Sequence, residues 1–316
     1  MRDLEIGPVV LGAMTFGSQV DVAEAERMVG LAREGGVRMF DTSNNYNAGA
    51  SEEILGRVVR PFRDDILLSS KVGSTVGQED TTVVGLGRKA IIRAVEDTLR
   101  RLGTDYLDLY YFHRPDRETP IAESLEAAAE LVASGKVRAL GQSNFAAWQV
   151  TELHHVAHAH AWPSVDVSQI MYNLLARRVE VEYAACSAHL RMFDIAYNPL
   201  AGGLLSGKHR PWSTPEAGTR FSKEMYRSRY WNDTQFEAVE RLRVIARATG
   251  LTLLELSFRW LRDRPLTDAI LVGASSAEQL RSNLAALQGP ALDDDTLRAC
   301  DLVWDQLSGI APHYNR

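Results

Sequence analysis

The chain has 316 residues, and its 35 basic and 41 acidic side chains give a formal net charge of −6. An acidic chain without a basic stripe is a poor nucleic-acid binder. No segment approaches the ~20 consecutive apolar residues that a membrane-spanning helix requires. The length is compatible with two domains of ~100–200 residues or with one α/β barrel of ~250. Because no linker separates two units, we expect one domain over residues 1–316.

The cysteines and the N-terminal residues indicate the compartment. Only Cys186 and Cys300 are present, which fits a reducing environment without a disulfide framework. The N-terminal residues lack the apolar run of a signal peptide. We therefore expect a cytoplasmic protein.

Short apolar runs rich in β-branched residues alternate with longer amphipathic segments. The runs predict strands at 9–14, 37–41, 66–71, 107–113, 137–141, 165–169, 193–197 and 269–272. The amphipathic segments predict helices near 21–34, 51–59, 89–102, 121–134, 146–158, 180–190, 234–262, 277–287 and 293–308. An irregular segment at 201–232 interrupts the alternation after the seventh strand, and loops of that length are usually functional or disordered.

This alternation indicates a parallel sheet, because parallel strands need a crossover connection. Two architectures remain, an open doubly wound sheet and a closed (β/α)8 barrel. The segment after the first strand, LGAMTFG at 11–17, is not a GxGxxG dinucleotide fingerprint. The count of eight strands favours the (β/α)8 (TIM) barrel, with a long loop after strand seven and a C-terminal helix.

In such a barrel the active site lies at the C-terminal ends of the strands. Polar residues stand at seven of these predicted ends, and together they would surround one mouth of the barrel. They are Asp41, Lys71, His113, Ser143 with Asn144, Gln169, Tyr197 and Ser275.

Several motifs resemble signatures of the aldo-keto reductases. They are FDTSNNY at 40–46 with GASE at 49–52, Lys71 at a strand end, DLYYFHRP at 108–115 and GKVRALGQSN at 135–144. Further motifs resemble most the aflatoxin-aldehyde and succinic-semialdehyde reductase branch: MYN at 171–173, AYNPLAGGLLSGK at 196–208, YRSRYW at 226–231 and YNR at 314–316. The resemblance runs from about Val10 to the last residue.

The resemblance implies NADPH-dependent reduction of aldehydes, and of ketones or dicarbonyls, to alcohols by hydride transfer. It implies a catalytic tetrad of Asp41, Tyr46, Lys71 and His113, with Tyr46 as the general acid. A proton donor is needed because the hydride leaves an alkoxide. Tyrosine is a weak acid, with an ordinary pKa of ~10, so we expect a buried Lys71, held by Asp41, to lower the pKa of Tyr46. His113 would orient the substrate oxygen or help to relay the proton.

The resemblance to the aldo-keto reductases also implies a binding site for NADPH or NADP+. The expected contacts come from strand ends, the loop after strand seven and the segment after strand eight. They are Ser143, Asn144, Gln169, Tyr197, Asn198, Pro199, Leu200, Gly202, Lys208, Arg220, Gly273, Ser275, Gln279 and Asn283. Within this set, closely spaced glycines would let backbone amides approach the pyrophosphate.

The segment after strand eight departs from the family pattern. Many aldo-keto reductases have a Lys and an Arg there for the 2′-phosphate, whereas this chain has Gly273 and Gln279. We expect Arg220 and Lys208 to supply that charge from the long loop. NADPH is the expected cofactor, and NADH stays open as the alternative.

The substrate is expected to be a small carbonyl compound. The resemblance places Arg229 and Arg316 where they would face an anionic end of the substrate, and Trp231 in the long loop would line its pocket. His154 and His158 have the i, i+4 spacing of a metal pair, but no second cluster completes a site. We therefore expect no metal, no nucleic acid and no membrane.

Two other functions stay open from the sequence. One is an alcohol or sugar dehydrogenase of the same family. The other is a nucleotide-binding regulatory subunit that resembles potassium-channel β subunits, against which the complete tetrad argues. The sequence leaves open the physiological substrate, and whether the protein is a monomer or a homo-oligomer.

Overall fold

The computed structural model describes residues 4–74, 84–210, 213–215 and 219–309. Its strands pair in parallel and in chain order, and the last pairs with the first, so they close a barrel. The strands are β1 Val9–Gly12, β2 Met39–Asp41, β3 Leu67–Val72, β4 Leu107–Phe112, β5 Val137–Ser143, β6 Val165–Met171, β7 Phe193–Tyr197 and β8 Ala269–Val272. The predicted (β/α)8 barrel is confirmed.

Helices connect the strands and form the outer layer. They are α1 Val22–Glu34, α2 Ala50–Val59, α3 Arg88–Leu102, α4 Ile121–Ala133, α5 Ala147–Ala159, α6 Tyr183–Leu190, α7 Glu224–Tyr230, α8 Asp233–Ala248, α9 Leu253–Arg262, α10 Ala277–Ala286 and α11 Asp294–Ser308. Within the described ranges, none of these helices is both long and apolar enough to cross a membrane.

The single helix predicted at 234–262 is wrong, because the structure has two helices there. α8 ends at Ala248, and Gly250 follows with a φ of +70° that few residues other than glycine adopt. α9 then starts with its own cap: the Thr252 hydroxyl accepts from the Glu255 amide, and the Glu255 carboxylate accepts from the Thr252 amide. Local capping therefore overrides the continuous apolar periodicity.

The strands separate two apolar cores, because successive side chains point to opposite faces. Outward side chains pack against the helices, whereas an inner cluster fills the barrel. That inner cluster contains Val10, Met39, Leu109, Tyr111, Val167, Ile195 and Ala269, with Ile6 from the segment before β1. Polar inward positions follow the apolar ones only near the C-terminal ends, as Asp41 follows Met39 on β2.

The described part of the segment predicted as irregular, 201–232, contains α7 and packs through aromatic side chains. Trp231 contacts Phe221, His209 and Phe236, with ring centroids 4.8, 5.4 and 5.1 Å away. Phe221 is fully buried. The segment is therefore anchored beside the C-terminal ends of the strands.

Candidate active site

An ion pair occupies the inside of the barrel beneath its C-terminal mouth. Lys71 and Asp41 lie on neighbouring strands and are both buried, and the Lys71 ammonium donates to Asp41 Oδ2. The ammonium also donates to the backbone oxygen of Thr42 at 2.7 Å. Asp41 Oδ1 accepts from Ser69 Oγ at 2.8 Å and from Gln169 Nε2 at 3.2 Å. Three donors, from Lys71, Ser69 and Gln169, thus fix the carboxylate.

Burial lowers the pKa of Lys71, whereas the Asp41 carboxylate and the more distant Glu52 carboxylate raise it. An unpaired ammonium at this depth would be costly, so the adjacent carboxylate is what allows Lys71 to remain charged.

Tyr46 stands at the start of a tight turn, Tyr46–Gly49, that leads into α2. Asn47 and Ala48 have φ of 52° and 55°, a conformation that costs energy outside glycine. The Asn47 side-chain amide holds the turn by donating to the Met14 and Phe16 carbonyls at 2.9 and 2.7 Å. Tertiary contacts therefore fix the position of Tyr46.

The expected lowering of the pKa of Tyr46 is wrong for this structure. The Lys71 ammonium lies 5.0 Å from the centre of the Tyr46 ring, as a cation over its face. Burial, and after it the Asp41 carboxylate, raise the pKa of Tyr46, and Arg220 opposes them. The physical reason is that burial disfavours the charged phenolate and the nearby Asp41 carboxylate adds to that penalty.

His113 directly follows β4 and is half-buried beside Tyr46, with ring centroids 5.8 Å apart in an edge-to-face arrangement. Burial and the nearby Lys71 and Arg114 cations lower the pKa of His113 to about 3. The imidazole is therefore neutral at physiological pH. The tetrad residues predicted from the sequence are thus grouped at one mouth of the barrel.

Ser143, Asn144 and Tyr197 lie together at the ends of β5 and β7. The Tyr197 hydroxyl donates to Asn144 Oδ1 at 2.7 Å, and Asn144 Nδ2 donates to the His113 carbonyl at 2.9 Å. Ser143 Oγ donates to the Gln169 carbonyl at 2.8 Å. Asn144 has a φ of 65° and is exposed at the mouth. These predicted cofactor ligands therefore form one polar surface beside His113.

The backbone amides of the turn after β7 form hydrogen bonds within the turn. From the sequence we instead expected the glycines there to let amides approach a pyrophosphate. The amides of Ala201 and Gly203 donate to the Asn198 and Leu200 carbonyls at 3.0 and 2.8 Å. The Gly202 amide donates to Asn198 Oδ1 at 2.6 Å. The positive φ of Gly202 and Gly203 serves this tight turn. Amide contact with a pyrophosphate is therefore not supported here.

Two other predicted cofactor residues lie in or near this turn. Pro199 is buried within this turn, and Lys208 is exposed beyond it.

Arg220 reaches from the long loop to the end of β8. Its Nη2 lies 3.2 Å from where a side chain at Gly273 would begin. Its guanidinium is 5.8 Å from the centre of the Tyr226 ring and lowers the pKa of Tyr46. The absence of a side chain at Gly273 thus leaves room for a cation from another element.

The segment after β8 forms the start of α10. Ser276 caps this helix, and Ser275 Oγ donates to Gln279 Oε1 at 2.9 Å. Asn283 Nδ2 donates to the Gly273 carbonyl at 3.3 Å. These contacts assign Ser275, Gln279 and Asn283 a local structural role, and their contact with a cofactor stays a prediction.

The predicted substrate residues separate in the structure. Arg229 is exposed near Tyr197, where its charge opposes the rise in the Tyr197 pKa that burial causes. Its Nη1 is 4.0 Å from Met171 Sδ. Trp231 belongs to the aromatic cluster of the loop, and its contact with substrate stays a prediction. Arg316 lies outside the described residues.

The sequence interpretation missed several polar residues of the site. Ser69 could have been found, because it stands two residues before Lys71 and so faces the same side of β3. Tyr230 carried no such signal: its hydroxyl accepts from Asn198 Nδ2 at 2.9 Å and thereby joins the end of α7 to the end of β7. Ser43 contacts His113, and only the fold brings these two residues together.

In the part of the chain that the structure describes, no cluster of His, Cys, Asp and Glu side chains could hold a metal ion. His154, from the histidine-rich stretch of α5, has its Nε2 3.0 Å from the Val165 carbonyl and 3.1 Å from Met192 Sδ. Its ring therefore contacts the start of β6 and the residue that precedes β7.

Comparison with known proteins adds independent information. The pattern of the aldo/keto reductase family matches residues 8–305. Aflatoxin B1 aldehyde reductase member 2 of Rattus norvegicus is 32% identical over 97% of this chain and 87% of its own length. Aldo-keto reductase family 7 member A3 of Homo sapiens is 33% identical over 97% of this chain and 96% of its own. A probable voltage-gated potassium channel subunit beta of Oryza sativa subsp. japonica is 33% identical over 90% and 88%.

Proposed function

Because the chain belongs to the aldo/keto reductase family, we propose that this oxidoreductase reduces aldehydes to alcohols with NADPH, with Tyr46 as the general acid. The family that its motifs indicated is confirmed. The observation that carries the proposal is the grouping of a buried Asp41–Lys71 pair with Tyr46 and a neutral His113 at the mouth of the barrel.

When bound, the nicotinamide cofactor supplies the hydride. The Tyr46 hydroxyl, which like any tyrosine with a pKa of ~10 or above is protonated at physiological pH, gives its proton to the carbonyl oxygen as negative charge develops there. The Lys71 ammonium stabilises the resulting phenolate, because a fixed cation acts strongly in a site shielded from water. Asp41 holds that cation in place, and His113 orients the carbonyl oxygen beside Tyr46.

The residues at the mouth fit a nicotinamide nucleotide. Asn144 and Tyr197 offer polar groups and an aromatic ring next to His113. Asn44 Oδ1 is buried close to the tetrad without a hydrogen-bond partner among the described residues, and a buried polar atom of this kind calls for one. Arg220 supports the preference for NADPH, because its guanidinium takes the space beside Gly273. Lys208 is the second candidate for the 2′-phosphate.

The assay for this function follows the loss of nicotinamide absorbance with NADPH and a panel of aldehydes. Tyr46→Phe is the matched control, because it removes one hydroxyl and keeps the ring. We expect turnover in the wild type and a loss of ~10²–10⁴-fold in the variant, the usual contribution of a general acid. A variant with more than about a tenth of the wild-type rate, where chemistry limits turnover, would remove Tyr46 from this role.

Cofactor preference is tested by fluorescence titration of the protein with NADPH and NADH. Arg220→Met should weaken NADPH binding by about tenfold or more, the range of a charge-assisted hydrogen bond, and leave NADH binding unchanged. Equal affinity of the wild type for both nucleotides would refute the preference.

A regulatory subunit is the second candidate, favoured by the similarity to a protein named as a potassium channel subunit beta. It predicts tight nucleotide binding with negligible turnover of every aldehyde tested. An alcohol or sugar dehydrogenase instead predicts faster turnover with NADP+ and an alcohol than with NADPH and the aldehyde. We further propose a single domain, supported by a family match that spans the barrel. We also propose a location in the cytoplasm, supported by the free thiols of Cys186 and Cys300, which fit a reducing compartment.

A further inference from the structure

The His113 imidazole has a neighbour that the family resemblance does not assign. Its Nδ1 lies 3.1 Å from Ser43 Oγ, and this hydroxyl also lies 2.8 Å from Asn45 Oδ1. Ser43 is fully buried and stands between Asp41 and Tyr46 in the chain. One hydroxyl therefore bridges a carboxamide and the imidazole inside the site.

The contact between Ser43 and His113 bears on which nitrogen of the imidazole is protonated. Because the pKa of His113 is depressed by burial, Lys71 and Arg114, the neutral ring has one N–H on either Nδ1 or Nε2. If Nε2 is to donate to a carbonyl oxygen, Nδ1 must be the acceptor. The Ser43 hydroxyl is the group placed to donate to it.

Ser43 has a single proton, and Asn45 Oδ1 accepts it in the arrangement with the oxygen facing Ser43. A half-turn of the Asn45 carboxamide exchanges that oxygen for its NH2 group, which then donates to Ser43. The hydroxyl proton is thereby released for His113 Nδ1. Asn45 and Ser43 together can thus determine which nitrogen of His113 carries the proton.

We propose that Ser43 is a positioning residue that, with Asn45, holds His113 by Nδ1 and keeps the proton on Nε2, directed to the substrate oxygen. With the Asn45 carboxamide turned so that its NH2 group faces Ser43, the hydrogen-bond chain runs from the Asn45 amide to Ser43, from Ser43 to His113 Nδ1, and from His113 Nε2 to the carbonyl. This inference rests on the proposed aldehyde reduction for its kinetic consequence. Its effect on the imidazole is independent of turnover.

The kinetic test is a double-mutant cycle, since an effect transmitted through His113 must vanish when His113 is absent. Ser43→Ala should lower kcat/KM for an aldehyde by about tenfold in the wild type, the value of one hydrogen bond. In the His113→Gln background the same change should alter kcat/KM by less than twofold. Ser43→Thr, which keeps the hydroxyl, should recover most of the lost rate.

Ser51→Ala is the matched control. Ser51 is also a buried serine of this segment, but its Oγ contacts Thr42 Oγ1 and the Ala13 carbonyl, at 2.8 and 2.7 Å. It should lower the thermal midpoint and leave kcat/KM unchanged. An equal loss from Ser43→Ala in both backgrounds, or no loss in the wild type, overturns the proposal.

A spectroscopic test separates this inference from the proposed function. In 15N spectra near pH 8, with His113 assigned by difference against His113→Gln, we expect a protonated Nε2 and an unprotonated Nδ1. Asn45→Asp has nearly the same shape but no donor, so it should shift the proton to Nδ1. A wild-type ring protonated on Nδ1 overturns the inference even in an active enzyme. Absence of aldehyde turnover, with Nε2 protonated, overturns the proposed function alone.

Discussion

Two buried carboxylates with cationic partners lie at different levels of the same barrel wall. Asp41 points inward from β2 under the mouth, where Lys71 meets it. Asp108 is the second residue of β4 and points outward toward the helices. It accepts from the Leu68 amide at 2.9 Å, from Arg63 at 2.8 Å and from Arg138 at 2.7 Å.

The cations differ in kind as well as in position. The Arg63 and Arg138 guanidinium groups both stack on the Tyr106 ring, 4.0 and 3.9 Å from its centre. Arginine suits such a structural site because its planar fork makes several fixed contacts. Lysine offers a compact charge that the Tyr46 phenol can approach. In a chain with 35 basic residues, of which only five are lysines, the lysine at position 71 marks the site where a point charge is needed.

Lys71→Arg gives the largest expected effect at the mouth. The guanidinium is larger and planar, so it cannot keep the contacts of the ammonium to both Asp41 and Thr42. We expect a folded protein that binds cofactor and reduces aldehydes at least ~100-fold more slowly. Steady-state kinetics and nucleotide titration measure this. An active enzyme would show that charge alone, without a compact cation, is sufficient.

Asp108→Asn tests the structural carboxylate. The change removes the charge that two arginines share while keeping the shape of the side chain. Because Arg138 is half-exposed and can turn to water, we expect a loss of about 3 kcal/mol in the free energy of unfolding, at the lower limit for breaking a buried pair. Urea denaturation measures it. Values of kcat and KM should be unchanged, and a fall in kcat would connect the two regions.

A buried group at the mouth and a buried group in the outer layer should change the free energy of unfolding in opposite directions as the pH falls. The pKa of His113 is lowered to about 3, so protonation of the unfolded state costs stability as the pH falls from ~6.5 toward 3. Asp194, on the outward face of β7, is buried and paired with Tyr183 and Ser187. Burial, and after it the neighbouring Asp268, raise its pKa to about 6. Asp194 therefore contributes stability that increases as the pH falls from 6 to 4.

Because these contributions oppose each other, single variants should reveal them in urea midpoints measured between pH 4 and 7. Asp194→Asn should increase the loss in the free energy of unfolding between pH 7 and pH 4 by about 2–3 kcal/mol, for a pKa shift of this size. His113→Gln should decrease that loss. Identical pH profiles for both variants and the wild type would contradict the two assignments.

Arg229→Met has the smallest expected effect, because the side chain is exposed near Tyr197 at the mouth. A carboxylate-bearing aldehyde needs a cation a few carbons from the reacting carbonyl, and arginine can bind it with two hydrogen bonds. We expect KM for succinic semialdehyde to rise about five- to tenfold, with little change for 4-nitrobenzaldehyde. An equal effect on both substrates would assign Arg229 to the loop or the cofactor.

Much of the site was predictable because it lies at strand ends. Asp41, Lys71, His113 and Gln169 follow from the period of the strands and the rule that barrel active sites lie at their C-terminal ends. Tyr46 required the family motif, because it stands on an irregular turn held by Asn47. The break between α8 and α9 was missed, since apolar periodicity continues across Gly250 and only the cap at Thr252 ends it.

The sequence by itself determined the order of the strands, the closed barrel and the position of Asp41, Lys71 and His113 at strand ends, because these depend on local periodicity and on residues at regular positions. The tertiary structure decided what those residues do to one another. It buried Tyr46 close to the Asp41 carboxylate so that the pKa of Tyr46 rises. It also engaged the amides of the glycine turn, and it brought Arg220 to Gly273 and Ser43 to His113. These outcomes depend on distances between residues far apart in the chain, and local sequence carries no information about such distances.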